Sequence, residues 1–198
     1  MERDLSNMRI IRMIIAMALC CAILFIIPTS GYALNVYPTS HVLTIPQVNQ
    51  PSGSRWCAVA CCECVLKYFG VNNVTQYTMV NYIFGDGNPS SHLLDYVDPP
   101  TARTALTHYG VSSSLTYMAT PFATLMYELY TKSRPTIASY DLTSTMTHSV
   151  VIYGYAKEGG QNYIYYRSPA GTGHNYFSLY SNPFVGCSWH YSMCLFTH

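Results

Sequence analysis

The sequence predicts an α+β fold in which helices come first and antiparallel strands follow. Three observations predict it. Between Arg55 and Thr131 the segments are bounded by helix caps and stops, with Ser54 before the first and Gly70, Gly85 and Gly110 after successive ones. From Pro135 onward β-branched and aromatic residues dominate. The two textures follow one another and do not alternate, which argues against a parallel, doubly wound sheet. The 198 residues suffice for one domain with a real core, and no repeat, low-complexity tract or linker divides them.

In chain order, Arg9 and Arg12 precede an unbroken apolar run from Met13 to Ile27, and Pro28, Ser30 and Gly31 end it. With small residues at Gly31 and Ala33, residues 1–33 read as a Sec signal peptide cut near Ala33. The run is short for a membrane span, and the alternative is an uncleaved N-terminal anchor. Either way residues 34–198 are expected as a secreted or periplasmic domain. Leu34 to Gln50 is expected to be an extended arm, because Pro38 and Pro46 oppose helix. A turn at Pro51–Ser54 leads into a helix from about Arg55 to Phe69, N-capped by Ser54. Further helices are expected at Val74–Phe84, Ser91–Val97, Thr101–Tyr109 and Pro121–Thr131. Strands follow at Pro135–Tyr140, Thr147–Tyr155, Gln161–Arg167, Asn175–Tyr180 and Ser188–Phe196, with Ala156–Gly160 as a hairpin loop.

Charge excludes some classes of function. The chain carries ten Lys and Arg against nine Asp and Glu, and residues 34–198 keep seven of each. No basic patch points to nucleic acid, and membrane contact is expected only through an uncleaved N-terminus. The 19 tyrosines and few charges suit a β-rich extracytoplasmic domain, expected to be a monomer. Beyond the leader six cysteines remain, Cys57, Cys61, Cys62, Cys64, Cys187 and Cys194, and an oxidising compartment permits disulfides whose pairing the sequence leaves open.

Cys57 is the candidate nucleophile. In the first turn of its helix, unpaired N–H groups and the positive end of the helix dipole favour a thiolate. The competing reading makes it one of four cysteines stapling a helix, with Cys61 and Cys64 on nearly the same face. A zinc site lacks a second Cys-x-x-Cys and a nearby His, and no cofactor is implied. His148 opens a strand otherwise made of apolar residues, at the mouth where a cleft would lie, and suits a general base. If Tyr155 pairs with Gln161, His148 falls opposite Ser168, so the residue orienting the imidazole belongs at or near Ser168. A hydroxyl there is a weaker orienter than Asp or Asn. Asp141 is an alternative carboxylate if its loop folds back.

Leu43–Gln50, then Trp56-Cys57-Ala58-Val59-Ala60-Cys61, Tyr68-Phe69-Gly70, Thr104–Gly110, Arg134-Pro135-Thr136-Ile137, His148–Tyr155 and Tyr165–Pro169 stand in a fixed order. This ordered set resembles papain-like cysteine peptidases of the compact bacterial kind, such as staphopains and the peptidases that cut bacteriocin leaders. The resemblance implies an N-terminal helical lobe packed on a C-terminal antiparallel sheet or half-barrel, with a cleft between. It implies peptide or protein substrates, Cys57 as nucleophile, His148 as base, and Gln50 with the Cys57 N–H as oxyanion donors. Ser168 departs from it, standing where the family has Asp or Asn. Two alternatives follow: a papain-type amidase or transamidase acting on cell wall or protein side chains, and a non-catalytic peptide-binding relative.

Overall fold

A long central strand organises the domain. The computed structural model describes residues 36–170 and 175–198; the leader expected over residues 1–33 lies outside them. The elements run β1 (Ser40–Val42), α1 (Cys57–Tyr68), α2 (Gln76–Phe84), a short 3-10 turn (Pro89–His92), α3 (Pro99–His108), β2 (Ser112–Thr116), α4 (Phe122–Met126), β3 (Thr136–Asp141), β4 (Thr147–Glu158), β5 (Gln161–Arg167), β6 (Asn175–Leu179) and β7 (Trp189–Thr197). The sheet is antiparallel, ordered β2-β7-β3-β4-β5-β6, with β1 also paired to β4. The α+β expectation is met. No helix among the described residues is long and apolar enough to cross a membrane.

The first half of β4 pairs with β3, setting Tyr140 opposite His148, and its second half pairs with β1. Helix α1 packs against β4 and α3. Cys57 through Leu66 are all buried, which is why the segment is nearly free of charge and rich in Ala and Cys. Its one buried carboxylate, Glu63, is paired with Lys67 (2.7 Å) and receives an N–H from Gln76 (2.9 Å). The same Gln76 amide donates to the Asn49 carbonyl (3.0 Å), so the buried charge also holds the arm beside Gln50.

Several local expectations are corrected. Ser54 does not cap α1: Trp56 occupies the N-cap position, Cys57 is the first helical residue, and the Ser54 hydroxyl is buried without a partner. Residues 93–97 lie outside the short 3-10 turn, and the Pro121–Thr131 helix gives way after Met126 to a wider π-type turn, Tyr127–Thr131. The hairpin loop is not Ala156–Gly160. Gly159 and Gly160 alone turn the chain, with φ of +55° and +78°, so pairing runs out to Glu158 opposite Gln161. A bulge between Ile152 and Gly154 then shifts the register, and the ladder ends at Val151 opposite Arg167. His148 therefore does not pair with Ser168 across the ladder. Strand β2 was not anticipated, and β1 lay unresolved within the expected arm.

Candidate active site

The stretches 50–57 and 142–148, with Tyr96 and Ala170, converge on one cavity of about 160 Å³. Gln50, Cys57 and His148 line it, with Tyr96, Leu142 and Met146 as a largely apolar wall. Cys57 is presented by the start of α1. Ala60 makes the first helical bond, to the Trp56 carbonyl, which leaves the N–H groups of Cys57, Ala58 and Val59 without intrahelical partners. Trp56 is fully buried, its ring edge-on to Tyr77, and its indole N–H donates to the His92 carbonyl (2.8 Å). That anchor fixes where the helix begins and so where the sulfur lies.

The Cys57 Sγ lies 3.8 Å from the Thr147 carbonyl, in reach of a weak S–H donation. Burial pushes the thiol's pKa up, while backbone N–H groups of Ser149, Ala58 and Cys57 act to lower it. Desolvation is the larger effect, and the helix start reduces it without reversing it. His148 is also buried, and desolvation alone lowers its pKa to about 4. Burial thus acts against charge on both groups, thiolate and imidazolium alike.

Ser168 reaches His148 after all. Its Oγ lies 2.8 Å from His148 Nε2 and accepts the Ala170 N–H at 3.3 Å. The contact forms beyond the end of the ladder, through side chains and not through the strand pairing. With Nε2 engaged, Nδ1 is the nitrogen left to take a proton. The ring also packs edge-on to Tyr140, centroids 5.4 Å apart. Asp141 is elsewhere: its carboxylate meets His190 Nδ1 at 2.9 Å, while its backbone pairs with Thr147.

Gln50 is held at both ends. Its backbone N–H donates to the Pro169 carbonyl (2.9 Å) and its Nε2 to the Ser54 carbonyl (2.6 Å). The Ser54 acceptor dictates which end of the amide is nitrogen, and the amide's Oε1 is buried without a partner. Cys61, Cys62 and Cys64 are buried, and all six cysteines of the described residues are free thiols. The Cys64 S–H donates to the Pro46 carbonyl (3.3 Å), and burial raises all three thiol pKa values, so these three are inert filler. Tyr96 and Thr147 escaped the sequence reading. The Tyr96 hydroxyl lies 2.9 Å from Thr147 Oγ1 and accepts the Thr147 N–H at 3.2 Å. The only sequence signal there was the Asp98-Pro99 helix start just after Tyr96.

The Peptidase_C39-like family model matches residues 42–193, and no curated protein matches the chain significantly. Among solved structures, UfSP from C. elegans aligns with TM-score 0.56 at 12% identity, over 84% of this chain and 36% of that one. This chain thus spans about a third of that protein's length. A structure of the mite allergens Blo t 1 and Der p 1 aligns with TM-score 0.56 at 11% identity, over 82% of this chain and 74% of that one. Digestive procathepsin L 3 of Tenebrio molitor larval midgut aligns with TM-score 0.52 at 14% identity, over 82% and 72%. Such likeness establishes a shared papain-like fold.

Proposed function

We propose, since this chain belongs to the Peptidase_C39-like family, that it hydrolyses peptide bonds through a thioester formed on Cys57. The supporting observation is that Cys57, His148 and Gln50 line one cavity while Ser168 holds the far nitrogen of the imidazole. His148 Nδ1 takes the thiol proton as the sulfur attacks the substrate carbonyl carbon. The oxyanion accepts N–H groups from Gln50 Nε2 and the Cys57 backbone. The imidazolium then protonates the departing amine, and the C–N bond breaks. Water, deprotonated by the same imidazole, hydrolyses the thioester and restores the thiol. The apolar wall of Tyr96, Leu142 and Met146 suits a peptide side chain beside the scissile bond.

In a casein assay of the protein lacking residues 1–33, Cys57→Ala is expected to lose all turnover; turnover equal to wild type would refute the assignment. Parallel digestion of cell-wall fragments separates peptidase from amidase. The Ser168 hydroxyl favours a second reading, a relative that binds peptides without cutting them, and binding without turnover by the intact protein would select it. The reading includes export: the basic and apolar pattern of residues 9–33 supports it. N-terminal sequencing of exported protein that starts at Met1 instead of near Leu34 would remove the cleaved leader from it.

A further inference from the structure

We propose that residues 92–98 form a strap that sets the separation of Cys57 from His148, with the Tyr96 hydroxyl as a positioning group. The proposal rests on the cysteine peptidase reading above. One end of the strap is tied to the sulfur side: the His92 carbonyl accepts the Trp56 indole N–H (2.8 Å), and the Leu93 carbonyl accepts the Arg55 N–H (2.9 Å). These bonds brace the two residues that lead into the first residue of α1. Its middle is tied to the imidazole side. Tyr96 accepts the Thr147 N–H (3.2 Å) and shares a hydrogen bond with Thr147 Oγ1 (2.9 Å).

Thr147 is where the two sides meet. It is the first residue of β4, it directly precedes His148, and its carbonyl is the group in reach of the Cys57 sulfur. A strand's first residue is prone to fray, and the neighbouring turn at residues 142–146 is exposed on most of its length. The Tyr96 hydroxyl binds both the N–H and the Oγ of Thr147, and so holds the Cα from which the next peptide, with its carbonyl in reach of the sulfur, leads directly into His148.

The strap has anchors of its own. His92 is held by Asp95 (2.6 Å) and Asp86 (2.8 Å) and stacks on Phe84 at 3.9 Å. Beyond Tyr96, Val97 is buried and Asp98 caps α3, accepting the Thr101 N–H at 2.7 Å. A segment pinned at both ends holds its middle in place without help from substrate. Loss of the hydroxyl leaves the ring packed but frees Thr147, so the thiol and imidazole lose their fixed spacing. A misplacement of about 1 Å between reacting groups costs on the order of a hundredfold in rate.

The test is the rate of Cys57 alkylation by iodoacetamide against pH, read by peptide mass spectrometry, with thermal unfolding in parallel. Wild type is expected to show a rate plateau through neutral pH, because the imidazole assists. Tyr96→Phe is expected to lower the neutral rate about tenfold and move the profile toward alkaline pH, as for a lone thiol. Its unfolding temperature should stay close to wild type. Thr147→Val is expected to lose about threefold, Thr147→Ser to behave as wild type, and the Tyr96→Phe/Thr147→Val pair to be no slower than Tyr96→Phe alone. A wild-type rate and profile in Tyr96→Phe overturns the proposal, as do losses that multiply independently. If Tyr96→Phe does not fold, the Thr147→Val and Thr147→Ser pair decides: equal rates in the two refute the strap. Failure of wild type to alkylate at Cys57 above the Cys57→Ala background is a different result, which sinks the peptidase reading and the strap with it.

Discussion

At His148 a hydroxyl holds a ring nitrogen that a carboxylate or amide oxygen holds in the resembled enzymes. The difference lies in proton direction. A carboxylate only accepts, so it forces Nε2 to carry the proton and leaves Nδ1 basic. Ser168 Oγ can accept from a protonated Nε2 or donate to an unprotonated one, and only the first arrangement prepares Nδ1 for the thiol. The Ala170 N–H, which donates to the same oxygen, takes up one acceptor site. With burial holding the imidazole near a pKa of about 4, the acid limb of kcat/KM is expected near that pH. Ser168→Asp adds a charge that favours the protonated ring, so the limb should move upward while turnover is kept or raised. An unmoved limb, or turnover lost in a folded variant, contradicts this. The grouping of Cys57, His148 and Gln50 at one cavity, with Ser168 against the imidazole, was legible in sequence through the ordered segments that resemble a family and through the hairpin. Tyr96 was not, since its partner Thr147 lies 51 residues away and no local pattern marks the pair.

Elements meet the site through β4. Ser168 meets His148 although the expected hairpin register does not occur: the turn is two residues long, and a bulge moves the ladder by one. Two glycines at positive φ close the hairpin tightly, and the run without apolar side chains from Lys157 to Asn162 concealed that from a reading by composition. The helix start at Trp56 was likewise hidden, because its anchor is a carbonyl in the distant 3-10 turn. Gly154 was legible as a glycine but not as a contact. A Cβ there would meet the His41 carbonyl oxygen at 2.8 Å and the Val42 and Tyr165 side chains at 3.0 and 3.1 Å. Gly154→Ala is therefore expected to push β1 off β4 and cost about 1–3 kcal/mol, a fall of several degrees in the thermal midpoint. An unchanged midpoint would show that β1 yields without cost.

For the whole molecule, the division into a helical half and a strand half was readable from residue texture alone. The ties between the halves were not. Arg134 shows the scale of such ties: it forms a two-pronged pair with the fully buried Glu128 (2.8 and 2.9 Å) and donates to the Phe196 carbonyl on β7 (3.0 Å). The sequence offered only an Arg-Pro before a strand, while the π-type turn that carries Glu128 was read as ordinary helix. Arg134→Met leaves a buried carboxylate unpaired and is expected to cost about 3–5 kcal/mol in urea unfolding. A loss below about 1 kcal/mol would mean that the pair relaxes into solvent. The central claim is that helix and sheet bring one sulfur and one imidazole together as a reacting pair. Its most direct measurement is labelling of the folded, reduced protein by an epoxysuccinyl inhibitor at neutral pH, mapped by mass spectrometry. One adduct is predicted, on Cys57, lost in His148→Ala while the other five thiols of residues 34–198 stay unmodified. An absent adduct, or one on Cys57 that His148→Ala leaves unchanged, would contradict it.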